Sequence, residues 1–140
     1  MENQFLLSKE SKQAIIALLI EMAESDQRID PTETKYIAGV ANQMGLTMLD
    51  ISSILRNPKA YKFQSPPQEQ ERMTILYYLL FLMRADGQIT ENEENRCYKL
   101  GLRLGFNHNL IADLIAVLKN YLHEDVPPEA MLEKVRKYLN

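Results

Sequence analysis

The chain has 140 residues, which is enough for one domain with a single hydrophobic core and too few for two. Because 46% of the residues are hydrophobic and 25% are charged, the composition is that of a globular protein and excludes a disordered or fibrous chain. The formal net charge of −3 gives no general attraction to nucleic acid, so we predict no nucleic-acid partner.

Three features predict a cytoplasmic protein without membrane insertion. The single cysteine, Cys97, suits a reducing compartment. The N-terminal residues MENQFLL lack the basic and apolar stretches of a signal peptide. The most apolar run, Ile75 to Met83, is about half the ~20 residues that a membrane-spanning helix requires, so a buried helix is expected there instead.

The first half of the chain predicts three helices. The first begins at Ser8, whose side chain can cap it, and runs to about Ser25; its middle section is apolar on every face, as in a buried helix. The second begins at Asp30, which is followed by a proline at the first helical position, and ends before Gly45, a residue suited to a left-handed helix stop. A short third helix begins after Thr47.

Residues 58–67, which are rich in proline, form a linker, and the same order of elements returns after it. The fourth helix begins near Gln68, and its second half is again apolar on all sides. The fifth begins at a Thr-x-x-Glu capping box that starts at Thr90, and the sixth begins after Asn107. A seventh helix is predicted over residues 128–139. No segment alternates polar and apolar residues as a strand does, so the predicted fold class is all-α.

Two turns, SDQRIDPTET and ADGQITENEE, share one pattern. Each contains an Asp, an Ile three residues later and a Glu seven residues later. Matching residue numbers differ by 60, and the glycines that follow, Gly45 and Gly105, keep this offset. The matching pairs are Asp26 with Asp86, Ile29 with Ile89, and Glu33 with Glu93. We infer an internal duplication.

The sequence therefore predicts a single, compact seven-helix domain over residues 1–140. Two pseudo-symmetric three-helix repeats are followed by a C-terminal helix. The predicted ranges are about 8–57 for the first repeat, 58–67 for the linker, about 68–122 for the second repeat and 128–139 for the last helix.

The acids of the two turns have two explanations. One is structural, because a Glu at the third helical position can bond back to the cap amide and an Asp can bond turn amides. The other is a divalent-metal site, because ADGQITENEE matches the second half of an EF-hand loop. An ordinary EF-hand is excluded, since Leu82, Arg84 and Met22 occupy ligand positions without a carboxylate. Two acids per turn would bind an ion only weakly unless the turns converge, and convergence would raise a carboxyl pKa.

The repeated pattern, an apolar helix followed by Asp-Gly-x-Ile-x-x-x-Glu in an all-helical domain of this size, resembles the TerB family of tellurite-resistance-associated proteins. The resemblance extends from about Ala14 to the last helix. It implies a cytoplasmic, metal-linked interaction module in a tellurite or chemical stress response, with protein partners and a divalent metal ion as cofactor. Carried over by position, the metal ligands are Asp26, Glu33, Asp86 and Glu93.

Other residues suggest further roles. Cys97 lies on the apolar stripe of the fifth helix, where a packing role is expected, and the two histidines are expected in solvent. Arg96, Lys99 and Arg103 form a basic stripe, which suits either a solvated face or an anionic protein or lipid partner. Because neither an oriented nucleophile nor an open metal site is evident, we predict that the protein is not an enzyme. The alternative function is a metal-free helical adaptor for protein–protein interaction.

Overall fold

A computed structural model describes residues 8–24 and 30–138, and this part of the chain contains seven α-helices and no β-strand. The helices are α1 (Lys9–Ala23), α2 (Pro31–Gln43), α3 (Met48–Arg56), α4 (Glu69–Met83), α5 (Glu91–Arg103), α6 (His108–Asn120) and α7 (Pro128–Arg136). A short 3₁₀ turn, Pro58–Ala60, lies in the predicted linker. The prediction of seven helices and an all-α fold is therefore confirmed for the described residues. Residues 25–29 of the first acidic turn and residue 139 of the predicted last helix lie outside them.

Helices α1 and α4 form the centre of the molecule and pack against each other. Every residue from Ala14 to Ile20 in α1 is at most 4% exposed, as its apolar pattern predicts. In α4 the aliphatic side chains from Ile75 to Met83 are buried, and the aromatic ones between them are half-buried at the edge of the core. None of the helices among the described residues is both long and apolar enough to span a membrane.

Four helices recur at a fixed distance along the chain. Helix α4 begins and ends 60 residues after α1, and α5 begins and ends 60 residues after α2. Each central helix packs against the second helix of its own half and against the second helix of the other half. Helices α2 and α5 also end alike, because Gly45 and Gly105 adopt left-handed backbone with φ of 82° and 92°. This conformation is strained for residues with a Cβ atom, so the glycines fix where both helices stop.

The third helices of the two halves pack differently. Helix α3 packs mainly on α1 and on the 3₁₀ turn, whereas α6 packs on α5 and α7. A Cβ atom at Gly101 of α5 would lie 2.5 Å from Cδ1 of Ile111 in α6, so the glycine permits the close approach of these helices. The equivalent residue of α2 is Ala41, which is fully buried without a third helix in that place.

Candidate functional site

The second acidic turn, residues 84–90, is held by its own backbone. The N–H of Gly87 donates to a carbonyl three residues back at 3.0 Å, and its φ of 81° is the left-handed conformation that favours glycine. The N–H of Gln88 donates to Oδ1 of Asp86 at 3.1 Å. Asp86 is thus exposed but fixed by the turn. Its counterpart Asp26 lies outside the described residues.

Two glutamates start the helices that follow the turns. The N–H of Asp30 donates to Oε1 of Glu33 at 3.2 Å, and the N–H of Thr90 donates to Oε1 of Glu93 at 2.9 Å. In return, the side chains of Asp30 and Thr90 accept hydrogen bonds from amides of the first helical turn. Both capping boxes expected from the sequence are therefore confirmed. Each Glu uses Oε1 for its cap and retains Oε2 for another partner.

The structure brings Glu33 and Glu93 together. They are the only charged residues among the buried positions of the described chain, with 4% and 5% of their surface exposed. The two carboxyl groups are hydrogen-bonded to each other. Such a bond between two acids requires that one of them carries a proton. Equivalent residues of the two halves thus form one buried site, which we name the glutamate pair.

Burial is the main reason that both glutamates of the pair have raised pKa values. It raises the pKa of Glu33 from its usual 4.5 to about 7, and it also raises the pKa of Glu93. The cap amides act in the opposite direction but more weakly, and the charge of Asp86 raises both pKa values further. Because neighbouring carboxyl groups titrate as a unit, the raised pKa values favour a state in which the pair holds one proton between the two carboxyl groups.

The predicted metal ligands are thus only partly assembled among the described residues. Glu33 and Glu93 meet, and Asp86 is near enough for its charge to act on both. No group of three or more His, Cys, Asp or Glu side chains within residues 8–24 and 30–138 is arranged to hold an ion. The pair supplies buried carboxylate oxygens that form no ion pair with a cation of the described residues. Such hard oxygens are the ligands of calcium and magnesium.

Arg84 connects the second turn to the end of α6. Its Nη2 donates to the carbonyls of Tyr121, Leu122 and Glu124 at 2.7, 3.2 and 2.8 Å. This role could not be read from the sequence, because the acceptors are backbone atoms 37 to 40 residues away. His123 is exposed, as expected, but it borders the turn: a Cβ atom at Gly87 would lie 3.6 Å from its Cε1.

The sequence also suggested roles for Cys97 and for the basic stripe of α5, and the two differ in burial. Cys97 is fully buried, and burial raises the pKa of its thiol to about 12, so it packs in the core as predicted. In the basic stripe, Lys99 and Arg103 are exposed and Arg96 is half-buried. Nη1 of Arg96 donates to the carbonyl of Glu21 at 3.5 Å, near the end of α1.

Comparison of the chain with models of protein families, with curated proteins and with solved structures finds no match. The resemblance to the TerB family therefore stays a prediction that rests on the two acidic turns and the helices around them.

Proposed function

We propose that the domain is a TerB-like, metal-linked interaction module of the cytoplasm that acts in a tellurite or chemical stress response. One observation carries this proposal: the equivalent glutamates of the two turns lie together and are buried, and burial raises the pKa of both. A cap alone needs one Glu at each helix and gives no reason for the two to meet. A buried pair that no cation of the described residues neutralises favours the binding of a proton or a metal ion.

The two halves of the domain would share such an ion. Glu33 and Glu93 would hold it through the oxygens that the caps do not use, with Asp86 and the sequence-predicted Asp26 as further ligands. A bound divalent ion would supply positive charge that no cation of the described residues gives the pair. Because the glutamates belong to α2 and α5, binding would join the starts of these two helices and stabilise the domain.

The same geometry favours binding over catalysis. Both carboxyl groups are committed to helix caps and are almost fully buried, so a substrate cannot reach them. We therefore propose that the protein is not an enzyme and that its function is performed with protein partners.

A metal-free helical adaptor is the second candidate. It is favoured by the capping boxes, which already give both glutamates a structural role, and by the absence of a three-residue ligand group in the described part of the chain. In this case the shared proton is the permanent occupant of the glutamate pair.

Thermal unfolding of chelator-treated protein distinguishes the two candidates. We expect millimolar calcium, magnesium, manganese or zinc to raise the Tm, and to raise it more at pH 8 than at pH 6, because protons compete for the same oxygens. Glu33→Gln combined with Glu93→Gln should abolish the rise, since Gln keeps the cap but removes the charge. Asp26→Asn combined with Asp86→Asn should reduce it.

Asp50→Asn is the matched control for this experiment. Asp50 is the acid of another capping box, at the start of α3, and it does not belong to the pair. This variant should keep the full metal-dependent rise. A wild-type Tm that does not respond to any of the four ions at pH 8 would instead support the metal-free adaptor.

A further inference from the structure

A groove of about 420 Å³ lies between α1, α5 and the linker. Its floor includes the buried Ala14 and Leu18, and the half-buried rings of Tyr61 and Phe63 also line it. Three cations from two separate segments surround this apolar floor: Lys59, Lys62 and Arg103. With Arg96 and Lys99 from the same face of α5, they form what we name the basic surface.

The charges of the basic surface are not neutralised within the described chain. The ion pairs of this part involve other cations, namely Lys9, Lys119, Arg136 and Lys137. Only one acid, Glu21, lines the groove, and it faces three cations there. The whole chain carries a net charge of −3, so the basic surface has the opposite sign of charge to the protein as a whole.

The equivalent place in the other half shows that the fold does not need these cations. Helix α5 crosses α1 as α2 crosses α4, and the residues of α2 that match Arg96, Lys99 and Arg103 are Tyr36, Gly39 and Gln43. Tyr36 and Arg96 both form a hydrogen bond to the central helix that they cross. The hydroxyl of Tyr36 donates to the carbonyl of Tyr78 in α4 at 3.2 Å, and Arg96 donates to a carbonyl of α1. The other two positions are neutral in α2.

We propose that the basic surface binds an acidic segment of a partner protein, with an apolar side chain of that segment seated on the groove floor between flanking carboxylates. The groove holds only a few residues, and its lining is divided equally between aliphatic or aromatic residues and charged ones. This mixture suits a short acidic peptide with an apolar side chain better than a polyanion, whose binding needs a longer basic footprint. This inference deepens the interaction role proposed above but does not depend on a metal ion.

The test uses fluorescein-labelled ten-residue peptides and fluorescence anisotropy at 50 and 200 mM salt. The first peptide consists of Asp and Glu with one central Leu, and in the second this Leu is replaced by Ser. We expect the first peptide to bind more tightly than the second, and less tightly at the higher salt concentration. Lys62→Glu combined with Arg103→Glu should raise its Kd by at least about tenfold.

Lys35→Glu combined with Lys134→Glu is the matched control, because it changes the charge equally at positions outside the groove. It should bind the Leu peptide like the wild type, and circular dichroism should show that both double variants are folded. Equal Kd values for the two double variants, or a labelled single-stranded oligonucleotide that binds more tightly than the Leu peptide, would overturn the proposal. Glu33→Gln combined with Glu93→Gln should retain peptide binding, so a failure of the metal proposal is seen separately.

Discussion

The glutamate pair and the basic surface show where the two halves of this domain agree and where they differ. At the pair, both halves contribute the same residue at the third helical position of a capping box, although the cap residue is Asp30 in one half and Thr90 in the other. At the basic surface, Arg96, Lys99 and Arg103 of α5 correspond to an aromatic, a small and a neutral polar residue of α2. The two glutamates that meet in the interior are alike, and the outer positions that a partner can reach are not. Unlike outer faces allow one half to bind a partner that the other half does not bind.

The largest effect should come from equivalent positions in the core. Leu19 and Leu79 are both fully buried in the crossing central helices and differ in number by 60. We expect Leu19→Ala and Leu79→Ala each to lower the free energy of unfolding by about 2 to 5 kcal/mol, with similar values for the two variants. Urea unfolding measures both. A loss confined to one half would break the correspondence between the central helices.

The pH dependence of stability should sharpen the contrast at the glutamate pair. The folded-state pKa of Glu33 lies at about 7, above its usual 4.5, so the folded protein binds more protons in this range and loses stability as the pH rises through it. Glu33→Gln removes the titration of this carboxyl group and leaves Glu93 as the one titrating member of the pair. We therefore expect the unfolding free energy of this variant, relative to that of the wild type, to increase by about 1 to 3 kcal/mol between pH 4.5 and pH 8.

The stability difference between Asp50→Asn and the wild type should change with pH in the opposite direction. Its cap amide lowers the pKa of Asp50, so the stability that this carboxylate contributes is present at neutral pH and is lost as the pH falls. This variant should be less stable than wild type at neutral pH and should approach it in acid. Parallel pH profiles for Glu33→Gln and wild type would contradict the shared proton.

The smallest effect should come from Gly101, the residue that permits α6 to pack closely on α5. Gly101→Ala should cost about 1 to 2 kcal/mol, because the new Cβ atom would lie 2.5 Å from Cδ1 of Ile111. Ile111→Val removes that atom and should recover part of the loss in the double variant. Gly39→Ala is the control: it lies inside α2 with no atom within 4 Å of a Cβ, so it should stabilise the protein by up to about 1 kcal/mol. Chemical unfolding of the four proteins checks these values.

Local chemistry made the helices predictable. The relevant signals act on backbone within a few residues of their own position, so the sequence alone predicts their effects. Examples are the cap Thr90, the helix-ending Gly105 and the apolar run of α1. Other features depend on residues that are distant in sequence and could not be predicted. They are the different packing of α3 and α6, the hydrogen bonds of Arg84 and the groove beside the linker. The pattern of the turns indicated that Glu33 and Glu93 are equivalent. Only the packing of α2 and α5 on the two central helices brings these carboxyl groups together.

The capping boxes have an electrostatic consequence for the glutamate pair. Each helix N-terminus carries the equivalent of about half a positive elementary charge, which falls off within the first turn. Since the first turns of α2 and α5 meet at the pair, the two helix dipoles together balance about one carboxylate. The second negative charge has no such counterpart among the described residues, so a monoanionic pair costs less free energy there than a dianionic one.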